Sequence, residues 1–255
     1  MSSAPDPREL KRMADWLYQY PPLLAGTLIK RYKRFLADIE LDTGEVVTAH
    51  CPNTGPMTGM CAPHSRVQIS QSNNPKRKLA YTWEMIEVCE TEPTWVGVNT
   101  QIPNLVVKQL LQDRLLHSLG DYDQVKSEVR YGQEKSRIDF LLTGSAQPAY
   151  IEVKSTTWAI EKQALFPDTV TTRGQKHIRE LISVLSAARA YLLFFINRAD
   201  CTTFAPGDQA DPEYGKLLRE AVAAGVELLP CRFEITPEGI RYLGLATVDE
   251  KSLTR

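Results

Sequence analysis

The chain has 255 residues, of which 43% are hydrophobic and 24% are charged, and its formal net charge is −1. This composition is typical of a folded protein and excludes wholesale disorder, and the near-neutral charge excludes a surface coated with basic residues. Because no apolar run approaches the roughly 20 residues that span a bilayer, and the five cysteines are irregularly spaced, we expect a cytoplasmic protein with reduced thiols and no membrane contact.

The N-terminal part of the chain predicts a tail followed by a small barrel. Residues 1–20 read as a polar segment and a short amphipathic helix, which Pro21 and Pro22 would end. Residues 21–94 contain β-rich runs at 27–40, 46–50, 66–71 and 81–89, separated by turn residues. Several short strands in about 70 residues favour a small β-barrel such as an OB-fold, which is a common nucleic-acid platform.

Residues 95–245 predict an α/β domain, with residues 246–255 as a C-terminal tail. Helical periodicity marks residues 105–116 and 174–190, and a third helix begins after Asp211 and ends at Gly225. Strand-like runs occupy 125–131, 137–142, 150–156, 191–196 and 226–235, and the fourth is apolar throughout, as a strand buried on both faces would be. Alternating strands and helices predict a sheet with helices on both sides.

Two neighbouring strand candidates carry charges inside apolar sequence. Asp139 alternates with Ile138 and Phe140, and the run Ile151 to Lys154 places Glu152 and Lys154 on one face. If the two strands are neighbours, the three charged side chains converge. Two carboxylates can hold Mg²⁺ or Mn²⁺, and a lysine beside them can orient a water molecule and offset developing charge. The pattern therefore indicates metal-assisted phosphodiester hydrolysis.

Two further groups extend the predicted metal site, and one structural alternative competes with it. The backbone carbonyl of Val153 lies between the two polar side chains, and Glu128 on the preceding strand adds an acid. The alternative is a cross-strand ion pair on a solvated face, which contributes at most about 1 kcal/mol. The strongly apolar strands around the charges favour the functional interpretation.

Basic residues at two places predict contacts with DNA phosphates. The segment from Pro21 to Trp83 holds eight Lys/Arg and four Asp/Glu, an excess of four positive charges. Tyr32 and Phe35 stand among its cations and are candidates for stacking on bases. Cations at the start of the second helix oppose the helix dipole, and a bound phosphate would explain them. The predicted DNA contacts are Lys30, Arg31, Tyr32, Lys33, Arg34, Phe35, Lys76, Arg77, Lys78, Arg173, Gln175, Lys176 and His177.

Short blocks spread along the chain resemble one known family, the sugar fermentation stimulation protein family, SfsA. The blocks are RYKRFLAD (31–38), HCPNTG (50–55), NPKRK (74–78), TWE (82–84), VNT (98–100), SRIDF (136–140), IEVKS (151–155), FPD (166–168) and RGQKH (173–177). They occur in the family's order and cover about residues 21–240. The resemblance does not extend to the first twenty residues.

The resemblance implies an N-terminal OB-fold and a C-terminal restriction-endonuclease-like domain of the PD-(D/E)xK nuclease type, with Asp139, Glu152 and Lys154 on its signature. It also implies DNA binding with little sequence preference and a role in regulating sugar (maltose) metabolism genes. Two hypotheses remain at this point: a DNA-binding regulator on a nuclease scaffold, and an active metal-dependent DNA nuclease. An intact trio favours an enzyme, since a decayed site would be expected to lose one member.

Overall fold

The computed structural model describes residues 16–89, 92–132, 136–144 and 147–254. The helix predicted within residues 1–20 therefore lies mostly outside the described residues. Its last part is described and is extended, because Tyr18–Gln19 forms strand β1. This strand pairs antiparallel with residues near the other end of the chain, with Tyr18 opposite Ile240.

The N-terminal sheet is a partial barrel of six strands. These are β2 (Leu23–Tyr32), β3 (Leu36–Leu41), β4 (Val46–His50), β5 (Arg66–Gln71), β6 (Tyr81–Cys89) and β7 (Pro93–Gly97). Their order is β4-β3-β2-β5-β6-β7, and an additional β4–β6 pairing closes five of them into a ring around a core that includes Trp83 and Ile39. The single run predicted at 27–40 is two strands, because Lys33 and Arg34 turn the chain with φ of 48° and 67°.

The C-terminal part begins with helix α1 (Ile102–Gln112) and builds two further sheets. Its strands are β8 (Gln124–Tyr131), β9 (Ser136–Thr143), β10 (Ala149–Thr156), β11 (Ala159–Ile160), β12 (Gln163–Phe166), β13 (Arg189–Ile196), β14 (Thr203–Pro206), β15 (Glu227–Ile235), β16 (Gly239–Leu245) and β17 (Thr247–Val248). Helices α2 (Thr172–Val184), α3 (Pro212–Ala224) and α4 (Glu250–Leu253) complete it.

The larger of these sheets has seven strands in the order β1-β16-β15-β13-β10-β9-β8, with β10, β13 and β15 parallel. Helix α1 packs on one face, and helices α2 and α3 pack on the other. Strand β13 lies between the two layers, with Tyr191 and Phe195 facing α1 and Phe194 facing α2. Residues 191–196 are completely buried, which confirms the prediction of a strand covered on both faces.

Several helix and strand ends differ from the predictions for local reasons. Helix α1 ends at Gln112 rather than residue 116, because Arg114 has a left-handed φ of 54°. Helix α2 ends at Val184 rather than residue 190, because the Arg189 amide bonds to the carbonyl of Pro148 and starts β13. Helix α3 ends as predicted, with Gly225 at its C-cap at a φ of 110°.

The predicted domain limits also shift. The boundary predicted between residues 94 and 95 falls inside β7, which pairs with β6 throughout. The predicted tail at 246–255 contains β17, which pairs with β14, and helix α4, where the Ser252 carbonyl accepts a hydrogen bond from Arg219. Among the described residues no helix is long and apolar enough to cross a membrane. The five cysteines are free thiols.

Candidate metal and nucleic-acid site

Asp139 lies where strands β9 and β10 separate. The two strands are paired by backbone hydrogen bonds as far as Phe140 opposite Ile151. Beyond that point they are linked by the Asp139 side chain instead. Its Oδ2 accepts a hydrogen bond from the Val153 amide at 2.7 Å, and its Oδ1 accepts one from Nδ2 of Asn104 on helix α1 at 2.8 Å. The carboxylate is therefore fixed by a backbone and a side-chain donor.

The β8–β9 hairpin changes sheet face at the same point. Val125 and Leu142 pack in the layer of α1, whereas Val129 and Ile138 pack in the layer of α2. The alternation of Asp139 with Ile138 and Phe140 predicts that these two apolar side chains face the same way, and this prediction is wrong, because Ile138 packs in the α2 layer and Phe140 in the α1 layer. Between the two regions Glu128 has a left-handed φ of 55°, which accounts for the local change of direction.

Glu152 and Lys154 point from β10 towards helix α2, as their alternation predicted. They are 3% and 9% exposed, and Lys154 Nζ donates to Glu152 Oε1 at 2.8 Å. His177 on α2 reaches the same oxygen through Nδ1. With hydrogen on Nδ1, the ring donates to Glu152 and its Nε2 accepts from Arg173 Nε at 3.4 Å, while Lys154 Nζ also lies 3.4 Å from Nδ1. The three charged residues predicted from the sequence are thus brought together, with His177 as a fourth member.

The electrostatics of the two carboxylates differ. Burial, and after it the charge of Glu152, raise the pKa of Asp139 to about 6, against hydrogen bonds from Val153 and Asn104. Burial also opposes ionisation of Glu152, but Lys154 and His177 outweigh it and hold the pKa of Glu152 below its usual value. Glu152 is therefore the carboxylate that ionises first, and its negative charge makes ionisation of Asp139 less favourable.

One oxygen of this site is buried without a partner. Glu152 Oε2 receives no hydrogen bond within the described residues, although Oε1 has two contacts. The hydroxyl groups of Tyr131 and Tyr214 are likewise buried and unpaired, and the charge of Glu152 contributes to raising the pKa of both, after burial. A buried carboxylate oxygen without a donor is costly, and a hard cation is a partner that would satisfy it.

The donor set fits a divalent cation with an incomplete protein shell. Asp139 and Glu152 supply carboxylate oxygens, whereas no group of three His, Cys, Asp or Glu side chains in the described ranges could hold a metal by itself. Glu128, a predicted ligand, lies between the Ser127–Phe140 and Val129–Ile138 pairs of the β8–β9 register, and it is exposed. The predicted carbonyl ligand belongs to Val153, the residue whose amide binds Asp139.

Two of the predicted DNA-contacting arginines hold a loop of the barrel. The Arg31 guanidinium donates to the carbonyls of Arg34, Asn53 and Gly55 at 2.8, 3.0 and 2.7 Å. Arg34 Nε donates to the carbonyl of Thr54 at 2.9 Å. Both side chains therefore fix the turn at residues 53–55, and Arg34 remains exposed while doing so, so a DNA contact by either arginine stays a prediction.

The other predicted barrel residues are more accessible. Tyr32 donates to Asp38 at 3.0 Å and has Lys30 over its ring, and Lys30 also forms an ion pair with Asp38. Phe35 is 44% exposed. The Arg77 side chain donates to Thr82 at 3.0 Å. Exposed side chains on the β2–β3 turn and on the β5–β6 loop are Lys33, Lys76, Arg77 and Lys78.

The start of α2 is organised by hydrogen bonds rather than left open. Thr171 caps the helix by accepting from the Gly174 amide at 3.0 Å. Gln175, predicted to contact phosphate, instead donates to both oxygens of Asp211 at 3.0 Å. His177 is buried against Glu152, so its predicted phosphate contact is replaced by a role in the carboxylate cluster. Arg173 remains exposed and Lys176 is half-buried.

Sequence reasoning missed Asn104 and the position of His177. Asn104 sits in the first turn of α1 and carries no motif of its own. His177 was noticed as part of a basic turn, but its contact with Glu152 depends on how α2 crosses β10, which alternation along a strand does not encode. The nearest sequence signal is the spacing of His177, Ile178 and Leu181, which places the histidine on the buried face of the helix.

Comparisons with known proteins identify the family. A family model described as the SfsA N-terminal OB domain matches residues 29–98, and one described as the sugar fermentation stimulation protein RE domain matches residues 101–239. The chain belongs to the SfsA family. A sugar fermentation stimulation protein homolog of Acaryochloris marina is 94% identical over 243 residues, covering 95% of this chain and 100% of that protein.

Two further SfsA relatives extend the comparison. The homolog of Cyanothece sp. strain PCC 7425 is 71% identical over 235 residues, covering 92% of this chain and 98% of that protein. Among solved structures, Pyrococcus furiosus SfsA in complex with Ca²⁺ has a TM-score of 0.82 and 26% identity, covering 92% of this chain and 99% of that chain. The arrangement of the OB domain and the C-terminal domain is thus shared with a distant SfsA protein.

Proposed function

We propose that this SfsA protein binds DNA with little sequence preference and holds a divalent cation, Mg²⁺ or Mn²⁺, between Asp139 and Glu152. The observation that carries the proposal is the buried, unpartnered Oε2 of Glu152 beside Asp139, whose pKa is raised to about 6. A cation would satisfy that oxygen and relieve the repulsion between the two carboxylates. The relative from Pyrococcus furiosus is described in complex with Ca²⁺, another hard cation that prefers oxygen ligands.

Support for DNA binding comes from the distribution of exposed cations. The β2–β3 turn and the β5–β6 loop lie at one end of the barrel, because Leu36 pairs with His50 and His50 pairs with Thr82. The loop at residues 53–57 leaves the same end. Asp168, a few residues before helix α2, accepts a hydrogen bond from the Met57 backbone of that loop. The exposed lysines of the barrel and Arg173 at the start of α2 therefore border one continuous surface.

We further propose that the C-terminal domain follows the restriction-endonuclease-like PD-(D/E)xK plan. The supporting features are the antiparallel strands β8, β9 and β10, the carboxylates on β9 and β10, and helix α2 leading to β13, which is parallel to β10. The family name sets the biological context in sugar fermentation. Regulation of sugar (maltose) metabolism genes through DNA binding in the cytoplasm is the role that we propose.

Phosphodiester hydrolysis at the same site is a second candidate, and the position of Lys154 favours it. A bound cation would supply charge stabilisation to a phosphodiester group and acidify water. Lys154 Nζ, at 2.8 Å from Glu152 Oε1, is placed to offset negative charge next to the carboxylates. His177 holds the same oxygen from the other side. Asn104 and the Val153 amide keep Asp139 in one orientation.

One experiment separates cation binding, DNA binding and hydrolysis. Calorimetry with Mn²⁺ should show binding to the wild type and none to Asp139→Asn. Lys154→Ala should still bind Mn²⁺ and DNA, and any cleavage of single- or double-stranded DNA should fall about 10²–10³-fold. Chelator is the control for metal, and only cleavage that follows the substitution counts, because contaminating nucleases are common. Intact DNA binding without cleavage under any metal would exclude hydrolysis, and absent DNA binding would contradict the main proposal.

A further inference from the structure

Two arginines face each other across the β8–β9 hairpin. Arg130 and Arg137 are directly opposite in the antiparallel register, and both are exposed. Neither guanidinium group makes a hydrogen bond or an ion pair within the described residues. Like charges directly opposite in an antiparallel pair destabilise a sheet, so this pairing has an energetic cost.

The arginine pair borders an open cleft next to the carboxylates. The cleft has a volume of about 600 Å³ and is lined by Arg130, Tyr131, Gly132 and Arg137. Strand β8 is the edge of the seven-stranded sheet, so no described strand covers this side. The lining residue Tyr131 adjoins the carboxylate site, because the charges of Glu152 and Asp139 act on its hydroxyl group.

Alternation along the two strands places the charges in a defined order. Arg137 and Asp139 are two residues apart on β9, at a Cα separation of about 7 Å. Across the hairpin, Arg130 lies opposite Arg137. An oxyanion bound by the arginines would lie two residues along β9 from a cation held by Asp139.

We propose that Arg130 and Arg137 form an anion site that clamps one phosphate of a DNA strand beside the Asp139–Glu152 cation site. This inference rests on the proposed function, which it deepens by naming the side chains that hold the phosphodiester backbone. Guanidinium groups match phosphate because their planar donors form two parallel hydrogen bonds, and a bound phosphate would offset the repulsion between the arginines. The cleft supplies the open approach that a polymer strand needs.

The test compares a double variant with a matched control. Arg130→Gln/Arg137→Gln removes the pair, and Arg179→Gln removes an exposed arginine from the outer side of helix α2. Anisotropy of a labelled short duplex in Ca²⁺ should show about tenfold weaker binding for the double variant. Its log–log salt slope should fall by about 0.9, the value for one phosphate contact. Arg179→Gln should match the wild type, and Arg137→Lys should recover the slope but not the full affinity.

A second measurement keeps the inference testable if the protein does not bind DNA. Calorimetry with pyrophosphate, without metal, should show binding to the wild type and to Arg179→Gln, and loss in the double variant. Pyrophosphate binding that depends on the arginines, with no DNA binding, would support the anion site and contradict the proposed function. An unchanged salt slope in the double variant would overturn the anion site. If the wild type does not bind DNA, the anion site would also be overturned by calorimetry that shows no pyrophosphate binding dependent on the two arginines.

Discussion

Burial changes the pKa of Asp139 enough to make protein stability depend on pH. Its pKa is raised to about 6, so the folded protein holds this proton more tightly than the unfolded chain does. The contribution of such a carboxyl group to stability is lost as pH rises from the unfolded pKa through about 6. Relative to Asp139→Asn, the metal-free wild type should therefore lose on the order of 2–3 kcal/mol of unfolding free energy between about pH 4 and about pH 8.

Urea unfolding in chelator at a series of pH values measures this difference. The asparagine variant is the appropriate reference because it keeps an acceptor for the Val153 amide but does not ionise. Glu152 remains in both proteins, so its titration largely cancels. If the difference in unfolding free energy between the two proteins stays constant across this pH range, the pKa of Asp139 is not raised in the folded protein.

His177 is expected to position Glu152 rather than to bind the cation itself. Its Nδ1 contacts Oε1 of Glu152, which leaves Oε2 as the oxygen without a partner. Removing a side chain that orients a metal ligand typically weakens metal binding by about 10–100-fold. We expect a loss of this size in His177→Ala, and substantial recovery in His177→Asn, because asparagine places an N–H close to the Nδ1 position.

Calorimetric titration of Mn²⁺ into both variants checks this prediction. Thermal unfolding of the same samples identifies a purely structural effect, which would lower the melting temperature of both variants without restoring affinity in the asparagine variant. Equal Mn²⁺ affinity in wild type and His177→Ala would contradict the positioning role.

At the scale of residues, sequence reasoning found side chains that lie on one strand and missed those that cross between elements. Glu152 and Lys154 follow from two-residue alternation along one strand, and Asp139 joins them because its strand is the neighbouring one. His177 and Arg31 were assigned to phosphate contacts from their charge alone. Their actual partners, a buried carboxylate and three backbone carbonyls, come from other parts of the chain and leave no local pattern.

The turn at residues 53–55 depends on Arg31 as an element of the barrel. Three carbonyls accept hydrogen bonds from this guanidinium group, and hydrogen bonds to a charged group each contribute about 1.5–3 kcal/mol. Allowing for partial exposure, we expect Arg31→Gln to lower the unfolding free energy by about 2–4 kcal/mol. Lys33→Gln, a neighbouring exposed cation, should change it by less than about 0.5 kcal/mol.

Denaturant unfolding of the two variants, with DNA affinity measured in parallel, tests the role of Arg31. The expected pattern is a stability loss confined to Arg31→Gln and a weakening of DNA binding in Lys33→Gln without loss of stability. If Arg31→Gln were as stable as the wild type, the guanidinium would not be what holds the turn.

Elements with strong local patterns were predicted well, and elements defined by pairing were not. The strands Val46–His50, Arg66–Gln71 and Tyr81–Cys89 have the predicted bounds, because flanking turns mark all three and alternating burial marks the first two. Strands β11 and β17 have two residues each, which is too short for any periodicity. They exist because neighbouring strands supply their hydrogen bonds.

At the scale of the whole molecule, a strand that precedes the N-terminal barrel belongs to the sheet of the C-terminal domain. Strand β1 precedes the barrel in sequence but pairs with β16 of the C-terminal sheet. Leu17, Tyr18 and Tyr20 pack against the core layer that contains α1. A sequence-based division at residue 95 separates this strand from its sheet, since a pairing between residues so far apart leaves no local signal.

The final prediction concerns the contribution of β1 to the C-terminal domain. A chain that begins at Leu23 loses the β1–β16 pairing, including the hydrogen bond from the Leu17 amide to the Ile240 carbonyl at 2.8 Å. It also uncovers apolar surface that the side chains of residues 17–20 bury. We expect a loss of roughly 3 kcal/mol, which corresponds to a melting temperature lower by about 6–12 °C.

A chain that begins at Trp16 is the matched control, because it retains β1 and differs only by the seven residues that form and flank the strand. Differential scanning calorimetry should show the lower melting temperature only in the shorter chain. The exposed edge of β16 should also make that chain more prone to association. Gly239→Val in the full-length chain provides an independent test, because a Cβ at this position would collide with the Tyr18 carbonyl and displace β1. Equal melting temperatures in the two truncated chains would show that the C-terminal domain does not need β1 for its stability. The predicted domain boundary at residue 95 would then describe the folding units correctly.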